Sequence, residues 1–120
     1  MITINFDPNA YKLEVIGHAG SAPKGQDLVC AAVSILVTSL ASSVTEYREM
    51  MSEEPLIGIT EGYALIECKP RHENRRLVSF MYVTILHGLH FLAEQYPEYV
   101  SWAGIENRSL DDISSNHKDS

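Results

Sequence analysis

Two side chains in this sequence have the chemistry of a nucleophile and its base. Cys30 carries a thiol, and His18, twelve positions earlier, carries an imidazole that exchanges protons near neutral pH. Between them runs a segment rich in glycine, serine, proline and lysine, Ala19-Gly20-Ser21-Ala22-Pro23-Lys24-Gly25-Gln26. An alternating apolar/polar run ends at Gly17-His18, and Asp27 opens a long apolar-periodic stretch, so the loop joins a strand end to a helix start. With Asp27 as N-cap, Leu28, Val29 and Cys30 occupy the first three helical positions. Their unpaired backbone N–H groups would favour thiolate over thiol and offer donors to an oxyanion. The competing reading of Cys30 is a small buried hydrophobe, the usual fate of a free cysteine.

Gly17-His18-Ala19, followed after a short loop containing Gly25 and Asp27 by Val29-Cys30-Ala31-Ala32-Val33-Ser34, resembles the ribosomal-processing cysteine protease family Prp. The resemblance implies a cysteine endopeptidase that removes an N-terminal extension from a large-subunit ribosomal protein precursor, cutting after a large apolar residue and before a small one. It makes Cys30 the nucleophile and His18 the general base. It also implies a five-stranded sheet with two helices on one face, a cleft between the first helix and the second strand, and a homodimer. Gly25 matches a glycine that the family keeps near the end of the loop. Glycines at both ends of the 20–26 loop suit a gate over bound peptide. Asp27 either caps the helix or orients His18; the cap is the reading its position demands. Ser34, one turn beyond Cys30, either supports the sulfur or bonds back to the Cys30 carbonyl.

The elements that must position these groups follow from periodicity. Ile2, Ile4 and Phe6 alternate with polar residues, a turn falls at Asp7-Pro8-Asn9-Ala10, and Tyr11, Leu13 and Val15 return, which predicts an antiparallel hairpin. Parity puts Ile16 and His18 together on the face opposite Val15. The first helix is expected from Asp27 to about Ser52, before Pro55, with Val29, Val33, Leu36, Val37, Leu40, Val44 and Tyr47 as its buried stripe. Cys30 lies at the edge of that stripe beside Ser34, Val37 and Ala41. A second hairpin spans Leu56 to Cys68 around Glu61-Gly62. A second helix runs from about Glu73 to Tyr96, with Val78, Met81, Tyr82, Ile85, Leu89 and Leu92 facing the core. Leu77, Phe80 and Phe91 lie off that face, and packing against the first helix is the simpler account of them than a dimer interface. A short strand from Tyr99 to Ala103 completes the order ββαββαβ, an α+β fold in residues 1–104. A polar, mobile tail is expected over 105–120.

Composition removes several classes. The chain of 120 residues is 45% hydrophobic and 21% charged, the balance of one soluble globular domain. A net charge of −7 argues against a nucleic-acid partner and suits a basic protein substrate. No secretory signal and no uninterrupted apolar run of bilayer length is seen, so neither membrane insertion nor export is expected, and a cytoplasmic location keeps both cysteines reduced. No cofactor is called for. His87, His90 and Glu94 share one side of the second helix but lack a facing ligand set, so no metal is expected. Cys68 reads as structural. The rival functions are a non-enzymatic ribosome-associated peptide-binding module and a thiol-redox protein; the second lacks a Cys-x-x-Cys arrangement.

Overall fold

In the computed structural model the described residues are 1–17 and 24–102, with the backbone alone described for 24–27. The elements are β1 (Ile2–Asp7), β2 (Lys12–Ile16), α1 (Lys24–Glu46), β3 (Leu56–Thr60), β4 (Tyr63–Glu67), α2 (Arg75–Gln95) and β5 (Val100–Trp102). This is the expected ββαββαβ order. Single 3-10 turns at Arg48–Met50 and His72–Asn74 follow α1 and precede α2.

The strands form one mixed sheet in the order β3-β4-β2-β1-β5. Both hairpins are antiparallel, with Ile4 opposite Val15 and Ile57 opposite Ile66. β2 and β4 join them antiparallel through Leu13↔Ile66, and β5 adds to β1 in parallel through Thr3↔Ser101. The first turn is built by Asp7, whose Oδ1 accepts from the backbone N–H groups of Asn9 and Ala10 at 3.0 and 3.3 Å. An aspartate bonding its own downstream backbone is a local alternative to continuing the strand.

One face of the sheet packs on the helices. Ile2, Ile4, Phe6, Leu13, Val15, Ala64 and Ile66 meet Val29, Val33, Val37, Leu40 and Val44 of α1 and Val78, Tyr82, Leu86 and Leu89 of α2 in one buried core. The stretches Leu28–Glu46 and His72–Gln95 are long and apolar enough to cross a membrane by length and composition, with mean hydropathy 2.0 and 1.3. Neither stretch is an uninterrupted apolar run, since serines and threonines break up the aliphatic residues of the first and charged and polar residues those of the second. Here both helices bury an apolar stripe against the sheet.

Several boundaries differ from those expected. α1 ends at Glu46 rather than near Ser52, and Tyr47 is exposed rather than part of the stripe. The chain leaves the helix well before Pro55, because Met51 bridges to Pro70 and ties this segment to the end of the second hairpin. The buried side of α2 is turned toward Ser79, Val83 and Leu86, leaving Met81 and Ile85 half-buried. α1 does meet α2, with Leu36 against Gly88, where a Cβ would come within 2.8 Å of Leu36 Cδ2. That contact does not reach Leu77, Phe80 or Phe91, which stay 54%, 46% and 59% exposed, so α1 packing does not account for them. β5 begins at Val100; Ala103 and the 105–120 tail lie outside the described residues.

Candidate active site

Where β2 ends, the sheet and α1 diverge around a cleft of about 260 Å³. Its helix wall carries Cys30, Val33, Ser34, Val37 and Thr38, successive turns of one side of α1. The opposite wall comes from the sheet, with Ile2, Val15, Gly17 and Ala64. The third wall is the tip of the β3–β4 hairpin, Ile59 to Tyr63. Cys30 is half-buried there, as its place at the edge of the helical stripe predicts. Ser34 lies next to it on the same wall, exposed, and makes no hydrogen bond with another described residue.

Gly17 fixes the end of β2 beside this cleft. Its φ of +107° is a conformation that favours glycine, and a Cβ there would drive into the backbone of Met1, with its carbonyl carbon at 3.1 Å and Ile2 Cα at 3.3 Å. Its N–H donates to the Gly62 carbonyl at 2.9 Å, tying the end of β2 to the hairpin tip. Gly62 itself takes φ +81° to close the two-residue turn. The expected sharing of a face by Ile16 and His18 falls on a residue outside the described ones. His18 lies outside the described residues, as do residues 20–23 of the expected loop and the side chain of Asp27, whereas the backbone of Gly25 belongs to α1.

The start of α1 corrects the capping argument. The helix begins at Lys24, so Asp27 is inside its first turn and is not the N-cap, and Cys30 is its seventh residue. Neither Gly25 nor Gln26 stops a helix, and proline at position 23 is a residue type suited to a helix start. The unpaired N–H groups therefore precede Cys30, whose own N–H lies within the i→i−4 ladder, and the helix-end field falls off within the first turn.

The other cysteine is placed differently. Cys68 is 3% exposed, its sulfur 3.5 Å from the Tyr82 hydroxyl, which also donates to the Ile66 carbonyl at 3.4 Å. Burial pushes the Cys68 thiol up, against the lowering effect of the Tyr82 hydrogen bond. A thiol held protonated inside the core is structural, as expected. On α2, His90 Nδ1 lies 3.3 Å from Glu94 Oε1 and its ring stands edge-on to Trp102 at 5.0 Å. Among the described residues no three His, Cys, Asp or Glu side chains gather as a metal site.

Sequence reasoning missed the hairpin wall. Ile59, Thr60, Glu61, Gly62 and Tyr63 follow Cys30 by some thirty positions, and β2–β4 pairing alone brings them to the cleft. The one local signal was the Glu61-Gly62 turn, which marks a hairpin tip without saying what it faces.

The site is a half-buried thiol on the wall of an open, mostly apolar cleft beside a sheet end, a concave surface suited to binding a ligand. The model of the family described as cysteine protease Prp matches residues 1–101, and the chain belongs to that family of cysteine endopeptidases. Among solved structures, SMU.848 from Streptococcus mutans is 27% identical with a TM-score of 0.61, covering 84% of this chain and 89% of that one. The S. aureus protein described as an essential ribosomal processing protease Prp, in complex with a substrate peptide, is 20% identical with a TM-score of 0.65, covering 86% and 96%. Its complex with a covalently linked product peptide is 24% identical with a TM-score of 0.65, covering 87% and 99%. No curated protein matches the chain.

Proposed function

We propose that this chain is the endopeptidase that removes the N-terminal extension of a large-subunit ribosomal protein precursor in the cytoplasm, with Cys30 as nucleophile and His18 as general base. The observation that carries the reading is the position of the Cys30 thiol on the wall of a cleft that Gly17, the residue before His18 in the chain, also lines. His18 takes the thiol proton as Sγ attacks the scissile carbonyl. The tetrahedral intermediate collapses by breaking the C–N bond, and the leaving amine receives that proton. Water, deprotonated by His18, then attacks the thioester; the carboxylate departs and the thiol is restored.

The walls of Ile2, Val15, Val33, Val37, Ile59 and Ala64 suit a large apolar side chain beside the scissile bond. The net charge of −7 favours encounter with a basic substrate and disfavours nucleic acid. Leu77, Phe80 and Phe91, exposed on one side of α2, support self-association as a homodimer. The chemistry needs no cofactor. The test is incubation of the extended precursor with wild type, Cys30→Ala and His18→Ala, reading product masses. Cleavage by wild type alone upholds the proposal; no cleavage by any of them, with binding retained, makes the chain a peptide-docking module.

A further inference from the structure

The cleft carries one charged side chain among the described residues that line it. Every other lining residue is apolar or neutral, whereas Glu61 stands exposed at the tip of the β3–β4 hairpin and joins no ion pair among the described residues. The backbone does not require a carboxylate there. The turn needs its positive φ only at Gly62, and Glu61 lies outside the left-handed region, where most residue types serve equally.

The position is held firmly. Gly17 N–H bonds the Gly62 carbonyl at 2.9 Å, and the Tyr63 hydroxyl donates to Glu14 Oε2 at 2.7 Å, fastening the β4 side of the tip to β2. Glu14 on β2, by contrast, is paired with Tyr63 and with Lys12, whose Nζ is 3.9 Å from Oε1. Among the described residues Glu61 is thus an unpaired negative charge at the mouth of an apolar cleft, where a low-dielectric wall on one side focuses its field toward whatever enters.

We propose that Glu61 is a specificity-determining residue that receives a basic side chain of the peptide near the scissile bond, while the walls below it take the adjoining apolar side chain. This rests on the protease reading above. The pair would form at a solvated rim, so its effect is a modest preference that falls with salt.

The experiment uses a neutral internally quenched peptide and derivatives carrying Lys, or Glu, at each position on either side of the scissile bond in turn. The readout is the ratio of kcat/KM for the Lys and Glu peptides within each protein, so that any loss of folded enzyme cancels. At one position wild type prefers Lys by about three-fold or more at low salt, the size expected of an exposed pair. Glu61→Gln brings that ratio to near one, and Glu61→Lys inverts it. An unchanged ratio in Glu61→Lys overturns the proposal.

Fluorescence-anisotropy binding of the same peptides to Cys30→Ala, with and without Glu61→Lys, separates the two claims. Charge-dependent binding without cleavage by wild type would refute the protease and uphold the subsite. Cleavage with no charge dependence in either readout would do the reverse.

Discussion

Gly17→Ala perturbs the fold and the site at one point, and its cost follows from the geometry. A residue with a side chain held at φ +107° carries about 1–3 kcal/mol of backbone strain. The new Cβ also meets backbone, not a side chain that can swing away, so the start of β1 must move. That displaces the Thr3↔Ile16 pair and the Ile2 N–H bond to the Tyr99 carbonyl, 2.8 Å long, adding about 1 kcal/mol. The total is about 2–4 kcal/mol, or a fall in Tm of roughly 8–15 °C for a chain this size. Urea and thermal unfolding of the variant measure it, with Gly58→Ala as control. Gly58 lies in a strand with nothing within 4 Å of its Cβ position, so alanine there should be neutral or stabilising by up to about 1 kcal/mol. Because Gly17 precedes His18, activity under conditions where the variant stays folded should fall by a further order of magnitude or so. A Gly17→Ala protein melting within about 2 °C of wild type would refute this reasoning.

Other consequences follow from particular groups. Burial pushes Cys68, Tyr82 and Tyr11 above their ordinary 9.0, 10.0 and 10.0. The unfolded chain therefore sheds these protons first as pH rises, and binds fewer than the folded one. Stability should fall as pH rises through the unfolded values, from about pH 8 for Cys68 and about pH 9 for the tyrosines, by up to about 1.4 kcal/mol per pH unit for each group; urea midpoints from about pH 7 to 11 test this. Native-state alkylation should label half-buried Cys30 and spare Cys68 until the chain unfolds, as peptide mass mapping would record. Leu77→Glu with Phe91→Glu should shift sedimentation toward monomer and remove any dependence of Tm on protein concentration, since both side chains are exposed on the single chain. Gly88→Ala gains about 0.8–1.0 kcal/mol of helix propensity against crowding of Leu36, so its unfolding free energy should stay within about 1 kcal/mol of wild type.

Local pattern revealed much of this molecule. The alternation of Ile2, Ile4 and Phe6 against Leu13 and Val15 is the pleat of the first hairpin, and the spacing of Val29, Val33, Val37, Leu40 and Val44 is the buried stripe of α1. The edge position of Cys30 on that stripe was legible for the same reason. Pairing between distant strands is not a local property. Nothing in β4 announces that it lies beside β2, or in β5 that it runs parallel to β1, so the hairpin wall of the cleft stayed hidden. The start of α1 was misplaced because Asp27 has the chemistry of a cap while Lys24-Gly25-Gln26 can join a helix without announcing it. Leu77, Phe80 and Phe91 show the limit of the amphipathic argument: apolar residues beyond one face demand an explanation, but their spacing does not name what covers them.

The central claim is that the Cys30 sulfur forms the covalent intermediate. It is tested most directly by mixing the enzyme with a cleavable peptide ester, quenching in acid during the first turnover, and reading intact mass followed by peptide mapping. An added acyl mass on Cys30, absent from Cys30→Ala and never on Cys68, is the predicted result. Peptide cleavage that continues in Cys30→Ala, or an acyl group mapped to another residue, would contradict it.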